Sequence, residues 1–130
     1  MLNLLKARIE ISRIAHQWRF WSETIARTAR DILGYCDVYV FGSIAEGRAT
    51  GGSDVDVLII TDSLPRDFRV RGELIARIEE AAKLPLYHPF QIHLATWEEV
   101  KVNPIYRESV SRGIPILLST PDKRGEFGKS

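Results

Sequence analysis

The sequence predicts a small α/β or α+β fold in which helices pack against one mixed β-sheet. Two observations lead to this prediction: amphipathic segments alternate with short β-branched runs, and glycine or proline separates most of them. The 130 residues are enough for one domain with its own core. We assign residues 1–120 to that domain, which begins with a long N-terminal helix, and expect 121–130 to be a flexible tail.

Composition and charge favour a protein of the cytoplasm. Lys and Arg total 18 against 17 Asp and Glu, so the net charge of +1 makes nucleic acid an unlikely partner and gives no attraction to an anionic membrane. No apolar run approaches the roughly 20 residues that cross a bilayer, and Lys6 and Arg8 lie where a signal peptide would be apolar. The single cysteine, Cys36, excludes a Cys-rich zinc site and favours a reducing compartment. We expect Cys36 in the core.

Residues 4–33 contain neither proline nor glycine and predict an amphipathic helix, or two helices in tandem, ending at Gly34. The apolar positions at helical spacing are Ile14, Trp18, Trp21, Ile25, Ala29 and Ile32. Trp18, Phe20 and Trp21 offer more apolar surface than one stripe requires, so this segment is a candidate surface for a partner or for a second copy of the chain. Packing against the protein's own sheet is the alternative.

Two β-branched runs predict the first pair of strands. Residues 36–41 form the first run and residues 54–61 the second, which is apolar on both faces and therefore central in a covered sheet. Gly42 and Ser43 end the first run, and a loop with two adjacent glycines leads from them to the second.

The remaining elements follow from periodicity and capping. Residues 68–83 predict a helix with an apolar inner side, whereas its charged residues, Arg71 among them, are expected outside. The inner side comprises Val70, Leu74, Ile75, Ile78 and Ala82. Residues 90–96 alternate and predict the third strand.

The end of the domain is predicted to contain two short helices and one strand. Thr96 followed by Glu99 resembles a capping box and predicts a short helix from 97. A further helix is expected over 106–111. A short edge strand is expected over 115–119, where Pro115 would not interrupt a ladder of hydrogen bonds.

The segment from Gly42-Ser43 to Asp54-Val55-Asp56 carries the chemistry. A Gly-Ser pair at the end of a strand offers backbone N–H groups and a hydroxyl to a phosphate. Asp54 and Asp56, two residues apart on a strand, point to one face, so they can bind one divalent cation, or two held a few ångströms apart. Together these features suggest nucleotide chemistry. The alternative is that neighbouring amides satisfy each aspartate.

This segment, with Gly47 and Ser53, resembles the signature of the DNA polymerase beta-like nucleotidyltransferase superfamily, and in particular its minimal single-domain prokaryotic members. The resemblance implies a nucleotidyltransferase fold and the transfer of a nucleoside monophosphate, AMP from ATP, to a hydroxyl of a protein or small molecule. It assigns nucleotide binding to Gly42, Ser43, Gly47 and Ser53, and catalysis with Mg²⁺ binding to Asp54 and Asp56, where one or two metal ions are implied. Arg48 would reach a phosphate or remain a solvated loop residue.

One departure from the superfamily pattern concerns the third strand. Members with activity carry a third acidic residue there, whereas residues 90–94 contain no carboxylate. Gln91 and His93 share one face, and one of them is expected at the third position. His93 is the candidate catalytic base or ligand, or else a hydrogen-bonded structural histidine. The alternative function is therefore a catalytically impaired nucleotide-binding or antitoxin-like module that binds a partner.

The resemblance also implies a separately encoded helical partner of the HEPN type, with the aromatic first helix as its candidate surface. The other two histidines carry no such expectation. We expect His16 to be a surface or packing residue and His88 to lie in a turn, since their spacing with His93 does not give a zinc site.

Overall fold

A computed structural model describes residues 2–50 and 53–118 of the chain. Position 119 and the predicted tail at 121–130 lie outside the described residues. Within them, five helices flank a four-stranded sheet. The helices are α1 (Leu2–His16), α2 (Trp18–Leu33), α3 (Phe68–Ala81), α4 (Trp97–Val102) and α5 (Pro104–Arg112); the strands are β1 (Cys36–Phe41), β2 (Val55–Thr61), β3 (Phe90–Thr96) and β4 (Ile114–Leu117).

The N-terminal segment consists of two helices in tandem, as one of the two alternatives predicted. The break lies at Gln17, whose N–H donates to the carbonyl of Ile14 at 3.0 Å in a turn tighter than the α-helical one. The second helix ends at Gly34, which has a φ of +84° and donates its N–H to Arg30 at 2.9 Å. The predicted glycine cap is thus confirmed.

The sheet is mixed and has the strand order β3-β2-β1-β4. Strand β1 pairs antiparallel with β2 and with β4, whereas β2 pairs parallel with β3. The predicted fold class is confirmed, and β4 is the edge strand that the sequence indicates. None of the helices in the described part of the chain is both long and apolar enough to span a bilayer.

The sheet is covered on both faces, and β2 shows why. Val57 and Ile59 point into the larger core cluster, beneath α2 and α3, where Cys36 is also buried. Leu58 and Ile60 point to the opposite face, beneath α4 and α5. Alternation along the strand produces this division. Burial, with the nearby charge of Asp37, raises the pKa of Cys36 to about 11, as expected of a core thiol.

The orientation predicted for α3 is wrong at two neighbouring positions. Val70 is 36% exposed, whereas Arg71 is only 9% exposed. Arg71 turns inward because it has partners there: its Nε donates to the carbonyl of Pro65 at 2.6 Å, and its Nη1 donates to both carboxylate oxygens of Glu99 at 2.9 and 3.0 Å. The partner carboxylate lies 28 positions away, where helical periodicity carries no information.

Capping fixes the two short helices beneath the second face. The predicted capping box is confirmed, with Thr96 accepting from the N–H of Glu99 and Glu99 accepting from the N–H of Thr96. Helix α5 begins at Pro104, two residues before the prediction, because the side chain of Asn103 accepts from the N–H groups of Ile105 and Tyr106. In this arrangement α5 lies beside the segment that begins at Gly42 and Ser43.

Candidate active site

The Gly-Ser motif forms a closed turn at 42–47, directly after β1. Gly42 has a φ of +80° and Gly47 a φ of +71°, values that favour glycine. The N–H of Glu46 donates to the carbonyl of Gly42 at 3.1 Å, and the N–H of Arg48 donates to that of Ser43 at 2.9 Å. The 42–47 turn is therefore a folded helical turn and not an open loop.

Gly42 lies directly against the carboxylate of Asp56. The β1–β2 register pairs Phe41 with Asp56, so the turn begins beside that side chain. A Cβ added to Gly42 would collide with Oδ2 of Asp56. Position 42 therefore requires glycine for its backbone conformation and for space, and the phosphate-binding motif and the carboxylate motif meet at one point.

Asp54 and Asp56 lie at the entrance to β2. Asp54 is exposed and immediately precedes the strand, and Asp56 is half-buried within it. Ser53 closes the loop before them, since its hydroxyl accepts from the N–H of Thr50 at 2.8 Å and its own N–H donates to the carbonyl of Thr50 at 3.0 Å. Ser53 thus fixes the path of the chain into Asp54.

His93 is the residue of β3 whose side chain reaches this site. Its Nε2 lies 3.6 Å from Oδ1 of Asp56, is buried, and makes no hydrogen bond within the described residues. Its ring packs between Phe41 and Tyr106, with ring-centroid distances of 5.4 and 6.2 Å. Gln91, the other candidate, is exposed and lies opposite Asp56 in the β2–β3 register. The sequence did not single out Phe41 or Tyr106, since no motif signals a contact between these three elements.

Tyr106 remains protonated beside His93 at neutral pH. Burial raises the pKa of its phenol, and the negative charge of Glu99 raises it further against an opposing effect of Arg71. The Tyr106 ring can therefore pack on His93 without adding a charge to the site.

The donor set fits Mg²⁺ that is bound together with a phosphate ligand. No cluster of three or more His, Cys, Asp or Glu side chains suited to a metal occurs in residues 2–50 and 53–118. Mg²⁺ in nucleotide enzymes is commonly held by one or two carboxylates, with substrate phosphates and water completing the octahedron. Asp54 and Asp56 supply such a pair, and Gly42 makes room for the Asp56 carboxylate, because a Cβ at position 42 would collide with Oδ2.

Arg48, His16 and His88 lie outside this arrangement. Arg48 pairs with Glu46 and its side chain is 66% exposed, as the solvated-loop alternative expects. His16 is exposed and donates from Nδ1 to the carbonyl of Ser12 at 2.9 Å.

His88 is a structural residue of the segment before β3. Its Nδ1 accepts from the N–H of Phe90 at 3.1 Å, which leaves Nε2 to donate to Glu79 at 2.9 Å. Both ring nitrogens are satisfied, in contrast to Nε2 of His93.

The aromatic N-terminal segment divides between core and surface. Trp18 and Trp21 pack against the larger core cluster, as the core alternative predicts. Phe20 is 59% exposed and remains a surface residue. Further exposed apolar side chains lie on α1, at Leu4, Leu5 and Ile9.

Comparison with solved structures shows related folds at low sequence identity. A toxin–antitoxin solved with AMP-PNP is 20% identical, with a TM-score of 0.56, over 82% of this chain and 80% of that one. A protein from Sulfolobus solfataricus, described as a candidate nucleotidyltransferase, is 16% identical, with a TM-score of 0.55, over 91% and 89%. A mutant of the toxin–antitoxin MntA-HpeT is 18% identical, with a TM-score of 0.51, over 78% and 76%. At these identities the likeness concerns the fold alone.

Comparison with sequence families identifies the chain more specifically. No curated protein matches it significantly. The family model of the nucleotidyltransferase domain matches residues 23–116, which include the 42–47 turn, both aspartates and His93. Because this match covers well over half of the sequence, the chain belongs to the nucleotidyltransferase domain family.

Proposed function

We propose that the chain is a Mg²⁺-dependent nucleotidyltransferase that transfers AMP from ATP to a hydroxyl of a protein or small molecule. The observation that carries this proposal is the contact between Gly42 and Asp56, where a Cβ would collide with the carboxylate. This contact brings a turn suited to phosphates and a carboxylate suited to Mg²⁺ within reach of one triphosphate. Membership of the family supports the same reaction class.

In this proposal the 42–47 turn binds phosphates and the two aspartates bind metal. The N–H groups at the start of the 42–47 turn and the hydroxyl of Ser43 bind the β- and γ-phosphates, since the N–H groups of Glu46 and Gly47 already donate within the turn. Asp54 and Asp56 would hold Mg²⁺, which when bound would supply positive charge against the negative charge of the α-phosphate. Ser53 and Gly47 keep the two ends of the connecting loop in place.

His93 prepares the acceptor on the β3 side of Asp56. In an in-line transfer, the attacking hydroxyl and the leaving pyrophosphate lie on opposite sides of the α-phosphorus. The hydroxyl oxygen forms the new bond to phosphorus, the bond to the bridging oxygen breaks, and the hydroxyl proton passes to Nε2 of His93. The unpartnered Nε2, 3.6 Å from Asp56, supports this role. Gln91 orients a water molecule at the exposed edge.

We further propose a helical protein partner of the HEPN type in the cytoplasm, which would carry the acceptor hydroxyl. Two structural neighbours are toxin–antitoxins, which supports a protein partner. The surface we assign to it contains Phe20 of α2 with Leu4, Leu5 and Ile9 of α1, all of them exposed. A homo-oligomer through the same surface is the alternative.

A second candidate function is nucleotide binding without transfer. Gln91 lies opposite Asp56 on β3, where a carboxylate would complete an acidic triad, and an amide is a poor ligand and no base. Such a module would neutralise a partner by binding it and would use ATP only as a ligand.

Transfer of label from ATP tests the proposal. The protein is incubated with Mg²⁺ and ATP labelled on the α-phosphate, with and without a co-encoded partner, beside an Asp54→Asn/Asp56→Asn variant. Asp62→Asn is the matched control, because Asp62 is an exposed aspartate beyond the other end of β2. We expect label on an acceptor with wild type and Asp62→Asn but not with the double variant. Equal labelling by the double variant would refute the proposal, and ATP binding without labelling would favour the second candidate.

A further inference from the structure

A cleft of about 140 Å³ opens between the 42–47 turn and α5, and we call it the α5 cleft. Its walls come from the end of β1, the turn, and the stretch from α5 to Gly113. The far wall is fixed, because a Cβ on Gly113 would collide with the carbonyl of Ser109 and would approach that of Val40 to 2.9 Å. Gly113 therefore packs tightly against α5 and β1 at the back of the cleft.

The α5 cleft adjoins the proposed catalytic carboxylates. Gly42 lines the cleft and is the same residue that lies against Asp56. A group bound in the cleft is thus separated from the metal-binding carboxylate only by the backbone of this glycine. Ligands in the cleft and at the carboxylates would be parts of one molecule or direct neighbours.

The lining of the α5 cleft combines an apolar surface with charged side chains, two of them carboxylates. Phe41, Ala45 and Ile105 supply the apolar part. Glu46 and Glu108 supply carboxylates, and Arg112 supplies a guanidinium. Glu46 pairs with the exposed Arg48, and Glu108 pairs with Arg112 at 3.3 Å. A carboxylate has about four acceptor sites, so each retains free lone pairs after its ion pair. The hydroxyl of Ser109, by contrast, already donates to the carbonyl of Ile105 at 2.7 Å.

The position of the cleft favours the nucleotide over the acceptor. The proposed attack comes from the β3 side, at His93, whereas the cleft lies on the β1 side of Asp56 next to the phosphate-binding turn. Its volume is well below the ~300 Å³ at which pockets begin to take whole drug-sized ligands, so it would hold only one ring system. A flat heterocycle such as a nucleotide base fits this lining, because its faces can pack on the apolar walls and its edge can donate to the carboxylates.

We propose that the α5 cleft binds the base of the nucleoside triphosphate and selects bases with an exocyclic amino group. This inference rests on the proposed function and adds its base subsite. The amino group donates to Glu108 or Glu46, and the ring packs on Ile105 and Ala45. Uracil lacks such a donor and leaves the carboxylates without this bond. Adenine and cytosine both provide one, so the two carboxylates select for the amino group and not for ring size.

Calorimetry with four Mg²⁺ complexes tests the proposal: ATP, CTP, UTP and inorganic tripolyphosphate, which has no base. The variants are Glu108→Leu, which removes an acceptor, and Ile105→Ala, which removes part of the apolar wall. Val102→Ala is the matched control, since Val102 is 80% exposed on α4 and does not line the cleft. Circular dichroism verifies the fold of each variant.

Wild type should bind ATP and CTP about tenfold more tightly than UTP or tripolyphosphate, because an unmatched acceptor loses a charge-assisted hydrogen bond. Glu108→Leu should abolish most of that preference, and Ile105→Ala should weaken ATP while leaving tripolyphosphate unchanged. Equal affinities of wild type for ATP, UTP and tripolyphosphate, or a preference that both folded variants retain, would overturn the base subsite alone. If neither ATP nor tripolyphosphate bound, the proposed function would fail with it. If Glu108→Leu does not fold, Ile105→Ala and the wild-type comparison decide.

Discussion

Two side-chain pairs lie at opposite ends of the paired strands β2 and β3, which we call the β2–β3 ribbon. They differ in how fully their hydrogen-bonding groups are satisfied. At one end, Arg71 donates to both oxygens of Glu99 and to the carbonyl of Pro65, at distances of 2.6 to 3.0 Å. At the other end, Nε2 of His93 lies 3.6 Å from Asp56, too far for a hydrogen bond. The first pair joins α3 to α4 and stabilises the fold. The second retains unused hydrogen-bonding capacity, which is what a ligand site requires.

The electrostatics of the first pair agree with a structural role. Burial opposes the ionisation of Glu99, but hydrogen bonds from Arg71 and from the N–H of Thr96 outweigh it and lower the pKa of that carboxyl. The native state therefore prefers the charged form of Glu99. We expect changes at this end to alter stability and changes at the Asp56 end to alter function.

The largest effect should come from displacing the carboxylate of Asp56. Gly42→Ala places a Cβ on the carboxylate in a backbone conformation that alanine avoids, so we expect transfer activity to fall at least about 100-fold. Gly34→Ala is the matched control, because Gly34 has a similar φ of +84° and an added Cβ meets no heavy atom within 4 Å. Label transfer and chemical unfolding measure the two effects. Equal activity loss in both variants would mean that backbone strain alone, and not the contact with Asp56, is responsible.

The next largest effect is expected at His93, and His88 serves as the comparison. His93→Gln should lower kcat by about 100-fold with little change in stability, because Nε2 has no hydrogen bond to lose. His88→Gln should instead lower the free energy of unfolding by about 1 kcal/mol and leave kcat unchanged, since both nitrogens of His88 are bonded. Single-turnover kinetics and denaturant titration separate the two. The distinction fails if His93→Gln unfolds the protein or retains full activity.

Removal of the Arg71 side chain should reduce the stability of the fold without changing the affinity for ATP. Arg71→Leu leaves Glu99 and the carbonyl of Pro65 without their partner, so we expect a loss of about 2 kcal/mol in the free energy of unfolding. Arg69→Leu is the control, because that side chain is exposed on the same helix. Affinity for ATP, measured on the folded variants, should not change. A tenfold loss of affinity in Arg71→Leu alone would assign this end a functional role.

The smallest expected effect is on how stability depends on pH in the acid range. Because the native pKa of Glu99 lies below its ordinary value of 4.5, this group stabilises the fold above that value, and the contribution is lost as pH falls through the native pKa. Wild type should lose stability more steeply below pH 4.5 than Glu99→Gln, which has no proton to bind. Urea titrations at several pH values give the two slopes. Identical slopes would show that the pair contributes no pH dependence.

Local patterns in the sequence predicted much of the fold. The β-branched runs predict β1 and β2, alternation predicts β3, and Thr96 with Glu99 predicts the start of α4, because these signals depend on neighbours only. The predicted start of α5 is two residues late, because helical periodicity does not reveal the cap at Asn103. The sequence predicts the break at Gln17 only as one of two alternatives, because no glycine or proline marks it.

The candidate site was predictable only where its residues form a motif. Gly42, Ser43, Asp54 and Asp56 stand out by spacing. His93 could be proposed from alternation, but its contacts with Phe41 and Tyr106 depend on three separate elements meeting in space. Arg71 and the α5 cleft were not predicted for the same reason. Helical periodicity assigned Arg71 to solvent, whereas Glu99, 28 positions away, draws it inward.

The central claim is that the Asp56 end of the ribbon binds the nucleotide and the Arg71 end does not. Calorimetric titration of Mg²⁺–ATP into wild type, Asp56→Asn and Glu99→Gln tests it most directly. We predict that Asp56→Asn weakens binding at least about tenfold while Glu99→Gln binds like wild type. Equal binding by wild type and Asp56→Asn, or a loss confined to Glu99→Gln, would contradict the account.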